Sequence, residues 1–179
     1  MKPKSHYVFT LLLALIFAAC APEDNTTIPE NTNEFIFDGV TYPIITAIII
    51  DENTSATNPS PIKISLWNKT SSEATGNGDL EDIALVNFEI EDENLEVTTY
   101  TDVENYDISI NGSIVNSEFS PGTLLLSNDD PDADVFAQSG SVNITNFTAF
   151  NIVFTFTFTR NDGQFISGSY DGNYLLPNN

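Results

Sequence analysis

The sequence predicts an all-β domain, a single antiparallel β-sandwich with Greek-key or jelly-roll-like connections. Three observations carry that expectation. In FNIVFTFTFTR, residues 150–160, Phe150, Ile152, Phe154, Phe156 and Phe158 alternate with Asn151, Val153, Thr155, Thr157 and Thr159. Period two places one aromatic face on a core and a Thr-rich face toward solvent, whereas a helix would scatter the Phe side chains around its circumference. Short apolar runs recur along the chain with turn residues between them, and no helical period appears beyond residue 20.

Residues 1–19 form a segment of a different kind. Lys2 and Lys4 precede an apolar run over residues 8–17, and Ala18 and Ala19 lead into Cys20, the only cysteine. The layout is that of a secretory signal, with an apolar core too short for a membrane-spanning helix. With Cys20 directly after the small pair, the stretch resembles the lipobox of bacterial lipoproteins, with Phe17 in place of the usual Leu. The resemblance implies cleavage before Cys20 and acylation of its thiol and new amino group. Each buried methylene contributes about 0.8 kcal/mol, so several chains together anchor stably. Glu23 and Asp24 follow at once. That placement is similar to the acidic cluster that accompanies export to the outer cell surface in lipoproteins of the Bacteroidota. The implied location is the outer membrane, lipid-anchored and facing the cell exterior.

Residues 20–33 are polar, with Pro22 and Pro29, and read as a lipidated N-terminus and flexible tether. The sandwich domain is expected over residues 34–179. Without residues 1–19 the chain has 160 residues, the length of one domain, and carries three basic residues (Lys63, Lys69, Arg160) against 26 acidic ones, a net charge of −23. That field repels nucleic acid and anionic lipid headgroups, so membrane attachment is assigned to the acyl chains alone. It favours cations and basic partners. The only histidine, His6, lies in the signal. His-dependent triads, free-thiol nucleophiles and the usual zinc sites are thereby removed from the mature chain.

The strands follow in order. EFIFDGVTYPI places two strands about a turn at Asp38 and Gly39, and Pro43 marks the second as an edge or bulge. ITAIII continues the run, and IKISLWN, residues 62–68, follows a Pro-rich loop. DIALVNFEI (82–90), LEVTTY (95–100), YDISINGSIV (106–115) and TLLLS (123–127) read as further strands. SVNITNF (141–147) alternates through Val142 and Ile144, and the turn at NDG (161–163) leads into QFISGSYDGNYLL, the last strands.

Taken in sequence, F-x-F-D-G-x-x-Y-P (35–43), GNGDLEDIALVNFEI, S-P-G-T (120–123), SGSVNI, the alternating Phe strand and DGQFISGSYDGNY resemble a loose group of small, mostly uncharacterised cell-envelope lipoproteins of the Bacteroidota. The resemblance spans residues 34–176, and its motifs set turns and fill a core. It implies the envelope location and an all-β domain, and it supplies no catalytic residues.

Two places carry candidate chemistry. NDDPDADVF, residues 128–136, sets Asp130, Asp132 and Asp134 at alternate positions beside Asp129. Such a loop either offers oxygen ligands to calcium or is simply solvated. It is not an EF-hand, because positions six and twelve from Asp130 are Val135 and Ser141. Trp67, the only Trp, shares a strand face with Lys63 and Ser65. It is either an exposed platform for a sugar ring or packed against a loop or the tether. Further acids stand at Asp51, Glu52, Glu91, Asp92 and Glu93. No serine-hydrolase elbow, phosphate loop or dinucleotide fingerprint is present. The expected function is a non-enzymatic binding or accessory module of the cell envelope with a protein or glycan partner. A glycan-binding surface lipoprotein and a carboxylate-dependent hydrolase, which needs two facing acids, are the alternatives.

Overall fold

The computed structural model describes residues 32–53, 59–74, 76 and 78–177. Cys20, Glu23, Asp24 and the tether up to residue 31 lie outside the described residues. The hydrogen-bonded chain starts before Glu34. The Asn33 side chain donates to Asp171 O (3.0 Å) and accepts from the Asp171 N–H (2.6 Å).

The strands are β1 (Glu34–Phe37), β2 (Val40–Pro43), β3 (Thr46–Asp51), β4 (Ser60–Trp67), β5 (Leu80–Asp92), β6 (Thr99–Tyr100), β7 (Val103–Val115), β8 (Glu118–Ser120), β9 (Thr123–Ser127), β10 (Val135–Phe147), β11 (Asn151–Arg160) and β12 (Phe165–Leu175). Asp38 and Gly39, with φ of 47° and 77°, make the two-residue β1–β2 turn that needs left-handed backbone at both positions. One helical turn, α1 (Ser71–Ala74), is held by a capping box. The Thr70 N–H donates to Glu73 Oε2 (2.8 Å), and the Glu73 N–H donates to Thr70 Oγ1 (3.3 Å). Among the described residues no helix is long and apolar enough to cross a membrane.

The chain is all-β, but the expected sandwich is replaced by a closed eight-stranded barrel with extra strands. The ring runs β11-β10-β9-β7-β5-β4-β3-β12 and returns to β11. The pair β1–β2 extends from β12, β6 pairs with β10, and β8 pairs with β7. Two antiparallel sets, β3-β4-β5-β7-β9 and β10-β11-β12, would form a sandwich if their edges were free. They are joined instead by two parallel seams. Tyr174 and Leu175 pair with Ala47 and Ile48, and Val135 and Phe136 pair with Leu126 and Ser127. Inward–outward alternation is the same in either architecture, so the strand pattern does not separate them.

The interior is filled. Phe88 on β5 lies 6.0, 6.1 and 6.2 Å from the rings of Phe154, Phe156 and Phe158 on β11, and Tyr106 stacks on Phe158 at 4.7 Å. Gly168, the register partner of Phe156, is required by that ring: a Cβ there would collide with Phe156 Cζ. Phe150 departs from the expectation. It precedes β11 in the turn from β10 and is 77 % exposed, because the alternation is enforced only where β10 and β12 both pair with the strand. LEVTTY likewise forms a strand only at Thr99 and Tyr100, with Leu95 buried in an irregular segment. Aromatic side chains inside and Thr, Asn, Asp and Glu outside are the inverse of the polarity a bilayer-spanning barrel needs.

Arg160, 8 % exposed at the end of β11, caps this interior. Its guanidinium pairs with Asp38 in the β1–β2 turn and with Asp162 (2.8 Å), and lies over the Phe37 ring at 5.4 Å. The β1–β2 turn and the end of β11, 122 positions apart in the chain, are thereby tied together.

Candidate functional site

With the interior occupied by rings, the chemistry of the barrel lies on its outside. On the face made by β4, β5 and β7, polar side chains are organised across three strands. Register places Ser65, Asn87 and Asp107 in one row across three strands, and Trp67, Leu85 and Ser109 in the next row on the same face. Between them, Leu66, Val86 and Ile108 point inward and are buried. Two residues along a strand separate the rows, about 7 Å.

The polar row is already ordered. Ser65 Oγ donates to Asn87 Oδ1 (2.7 Å), and Asn87 Nδ2 donates to Asp107 Oδ1 (3.0 Å). Toward the other end of the face, Lys63 pairs with Glu52 (3.0 Å) and Glu89 (3.7 Å). Asn105, in left-handed backbone (φ 45°) where the β5–β7 register shifts, turns its amide to Glu89 Oε2 (2.5 Å). Together with Asp129 these side chains, Glu52 excepted, line a groove of about 380 Å³. Asp129 is fixed by the Ser127 hydroxyl, which donates to its carboxylate (2.8 Å) and accepts from the Asp129 and Asp130 N–H groups.

The electrostatics follow from this packing. Burial pushes Asp107 up to about 6, against the hydrogen bond from Asn87 and with help from the negative charges of Asp129 and Asp130. The hydrogen bond and charge of Glu52, followed by Glu89, hold the Lys63 ammonium above its ordinary range. The groove therefore offers many acceptors, and its one cation is already engaged.

Trp67 is half-buried, between the two sequence-based readings. Its ring lies 5.8 Å from that of Phe119 on β8, tilted by 43°, and Phe119 is 47 % exposed. The indole Nε1 is buried with no partner among the described residues. Leu85, the register partner of Trp67 on the outer face, and Ile83 are buried but stand apart from the main core.

Asp130, Asp132 and Asp134 do not come together as ligands. Asp130 Oδ1 accepts from the Asp132 N–H (2.9 Å), and the Asp134 N–H turns away to Leu124 O (3.0 Å). Among the described residues no group of three or more His, Cys, Asp or Glu side chains is placed to hold a metal ion. The loop serves the fold: it doubles the chain back so that β10 starts parallel to β9. Asp51 closes a turn, accepting from the backbone and side-chain nitrogens of Asn53. Cys20 lies outside the described residues.

Sequence reasoning missed Ser65, Asn87, Glu89, Asn105 and Asp107 as one site. The available signal was polar residues at alternate positions within otherwise apolar runs, ISLW, LVNFEI and NYDISI. A second hollow, about 580 Å³, opens near the β9–β10 seam, lined by Thr101, Tyr106, Asn128, Phe136, Gln138 and Ser139 among others. Comparison with protein-family models, characterised proteins and solved structures finds no match to this chain.

Proposed function

We propose that this chain is an outer-membrane lipoprotein, anchored through acylated Cys20, whose barrel is a non-enzymatic binding or accessory module displayed at the cell surface. The face of β4, β5 and β7 carries this reading: its groove holds a pre-ordered row of polar side chains, and the Trp67–Phe119 pair lies outside the groove beside it. Three further points support it. The interior is packed with Phe rings, which leaves recognition to the outer surface. The polar exterior is suited to water, so attachment falls to the N-terminal segment that resembles a lipobox. A tether of about a dozen residues between Cys20 and the barrel would let the groove stand clear of the bilayer.

Two measurements on cells test the proposal. Wild-type protein should fractionate with outer membranes and Cys20→Ser should be released; unchanged membrane fractionation of Cys20→Ser rejects the anchor. Crosslinking the tagged, lipidated protein in intact cells should capture a stoichiometric partner or glycan through the β4–β5–β7 face. Crosslinks spread evenly over the surface would argue against a dedicated binding face.

A further inference from the structure

Resting on that reading, we propose that the β4–β5–β7 face binds a carbohydrate, neutral or amino-bearing, and rejects acidic sugars.

A sugar ring has a C–H face and a rim of hydroxyls, and this face presents a match for each. Exposed Phe119 and half-buried Trp67 offer apolar rings, with buried Leu85 as the register partner of Trp67. One row away, Ser65, Asn87 and Asp107 offer a hydroxyl, an amide and a carboxylate that already hold one another in place. The spacing of about 7 Å lets a ring rest on the aromatics while its hydroxyls reach the polar row. Apolar contact beside a few fixed polar groups is the usual composition of a small-molecule site. Because the row is ordered without ligand, little side-chain entropy is lost on binding.

Charge narrows the class. Glu89, Asp107 and Asp129 line the groove against Lys63 alone, and Lys63 is engaged by Glu52 and Glu89. Carboxylates accept from sugar hydroxyls in charge-assisted hydrogen bonds, and an ammonium would gain more. A uronate or sulfate would meet like charge on a surface whose net charge is already strongly negative.

The test uses the full lipidated protein in detergent and three probes: a short neutral hexose oligomer, its amino-sugar counterpart and its uronate counterpart. Trp67 is the only Trp, so its emission reports this face directly. Neutral and amino oligomers should shift the emission saturably, with the uronate at least about tenfold weaker, the effect of roughly 1.4 kcal/mol. Phe119→Ala and Asn87→Ala should each weaken binding by about tenfold. Phe119 is well exposed, so its variant keeps the fold if Asn87→Ala does not. Equal affinity for the uronate, or binding indifferent to Phe119→Ala, overturns the proposal. If no oligomer binds but cell crosslinking at this face captures an envelope protein, the carbohydrate inference falls and the binding module stands. If neither occurs, both fall.

Discussion

The two faces of β4 and β5 obey opposite rules on the same strands. Inward, Ile62, Ile64, Leu66, Val86, Phe88 and Ile90 are all nearly inaccessible, and Phe88 meets the Phe rings of β11. Outward, Lys63, Ser65, Asn87 and Glu89 are half-buried and meet one another through hydrogen bonds and ion pairs. Volume governs the inside, where one ring too many or too few is felt across the barrel. Donor and acceptor geometry governs the outside, where a side chain can change without a cavity forming. The register that aligns Phe88 with its core neighbours also sets Ser65, Asn87 and Asp107 in a row, so a rigid interior positions the polar row.

The sharpest way to break this contrast is Phe156→Ala. Removing a ring in contact with Phe88, Phe154 and Phe158 should cost about 3–5 kcal/mol, read by urea denaturation. A loss below about 1 kcal/mol would mean that the interior repacks freely. Gly168→Ala approaches the same contact from β12 and should cost about 1–3 kcal/mol by overpacking against Phe156.

On the outer face the effects are smaller and depend on pH. Asp107 is raised from its ordinary 3.8 to about 6, so between those values the folded chain retains a proton that the unfolded chain releases. The stabilisation is complete below the lower value and lost as pH rises through the upper one. Asp107→Asn should therefore raise the melting temperature at pH 7 by about 2–6 °C and show little gain at pH 3.5. A gain independent of pH would place its origin elsewhere. Smallest of all is Lys63→Ala. Its ion pairs with Glu52 and Glu89 are exposed enough that the loss should stay under about 1 kcal/mol and shrink further in high salt.

Local pattern made most strands readable. TLLLS forms β9 over its full length, and the Phe series of β11 buries Phe154, Phe156 and Phe158 as alternation requires. Asp38 and Gly39 announce their turn, and Pro43 stands on β2 at the open end of the sheet path. The TSSE capping box at residues 70–73 sets a single turn of helix, which is too short to show a period. Closure of the barrel was not legible, because it depends on Tyr174 meeting Ala47 across most of the chain. The site was hidden for the same reason. Ser65, Asn87 and Asp107 become neighbours only through the β4–β5–β7 register, and a shifted register between β5 and β7 turns Asn105 toward Glu89. The alternating acids of residues 128–136 are legible by their spacing, and the structure ties Asp130 Oδ1 to the Asp132 N–H and the Asp134 N–H to Leu124 O.

Carboxylate footprinting would test the claim that the outer face of β4, β5 and β7 is where this protein meets its ligand. Labelling with a carbodiimide and a small amine would be compared between protein in outer-membrane vesicles and protein purified in detergent. Glu89 and Asp129 line the groove, whereas Asp171 on β12 is exposed and lies outside it. Glu89 and Asp129 should be protected several-fold in vesicles, with Asp171 unchanged. Equal labelling of all three in both samples, or protection of Asp171 alone, would contradict it.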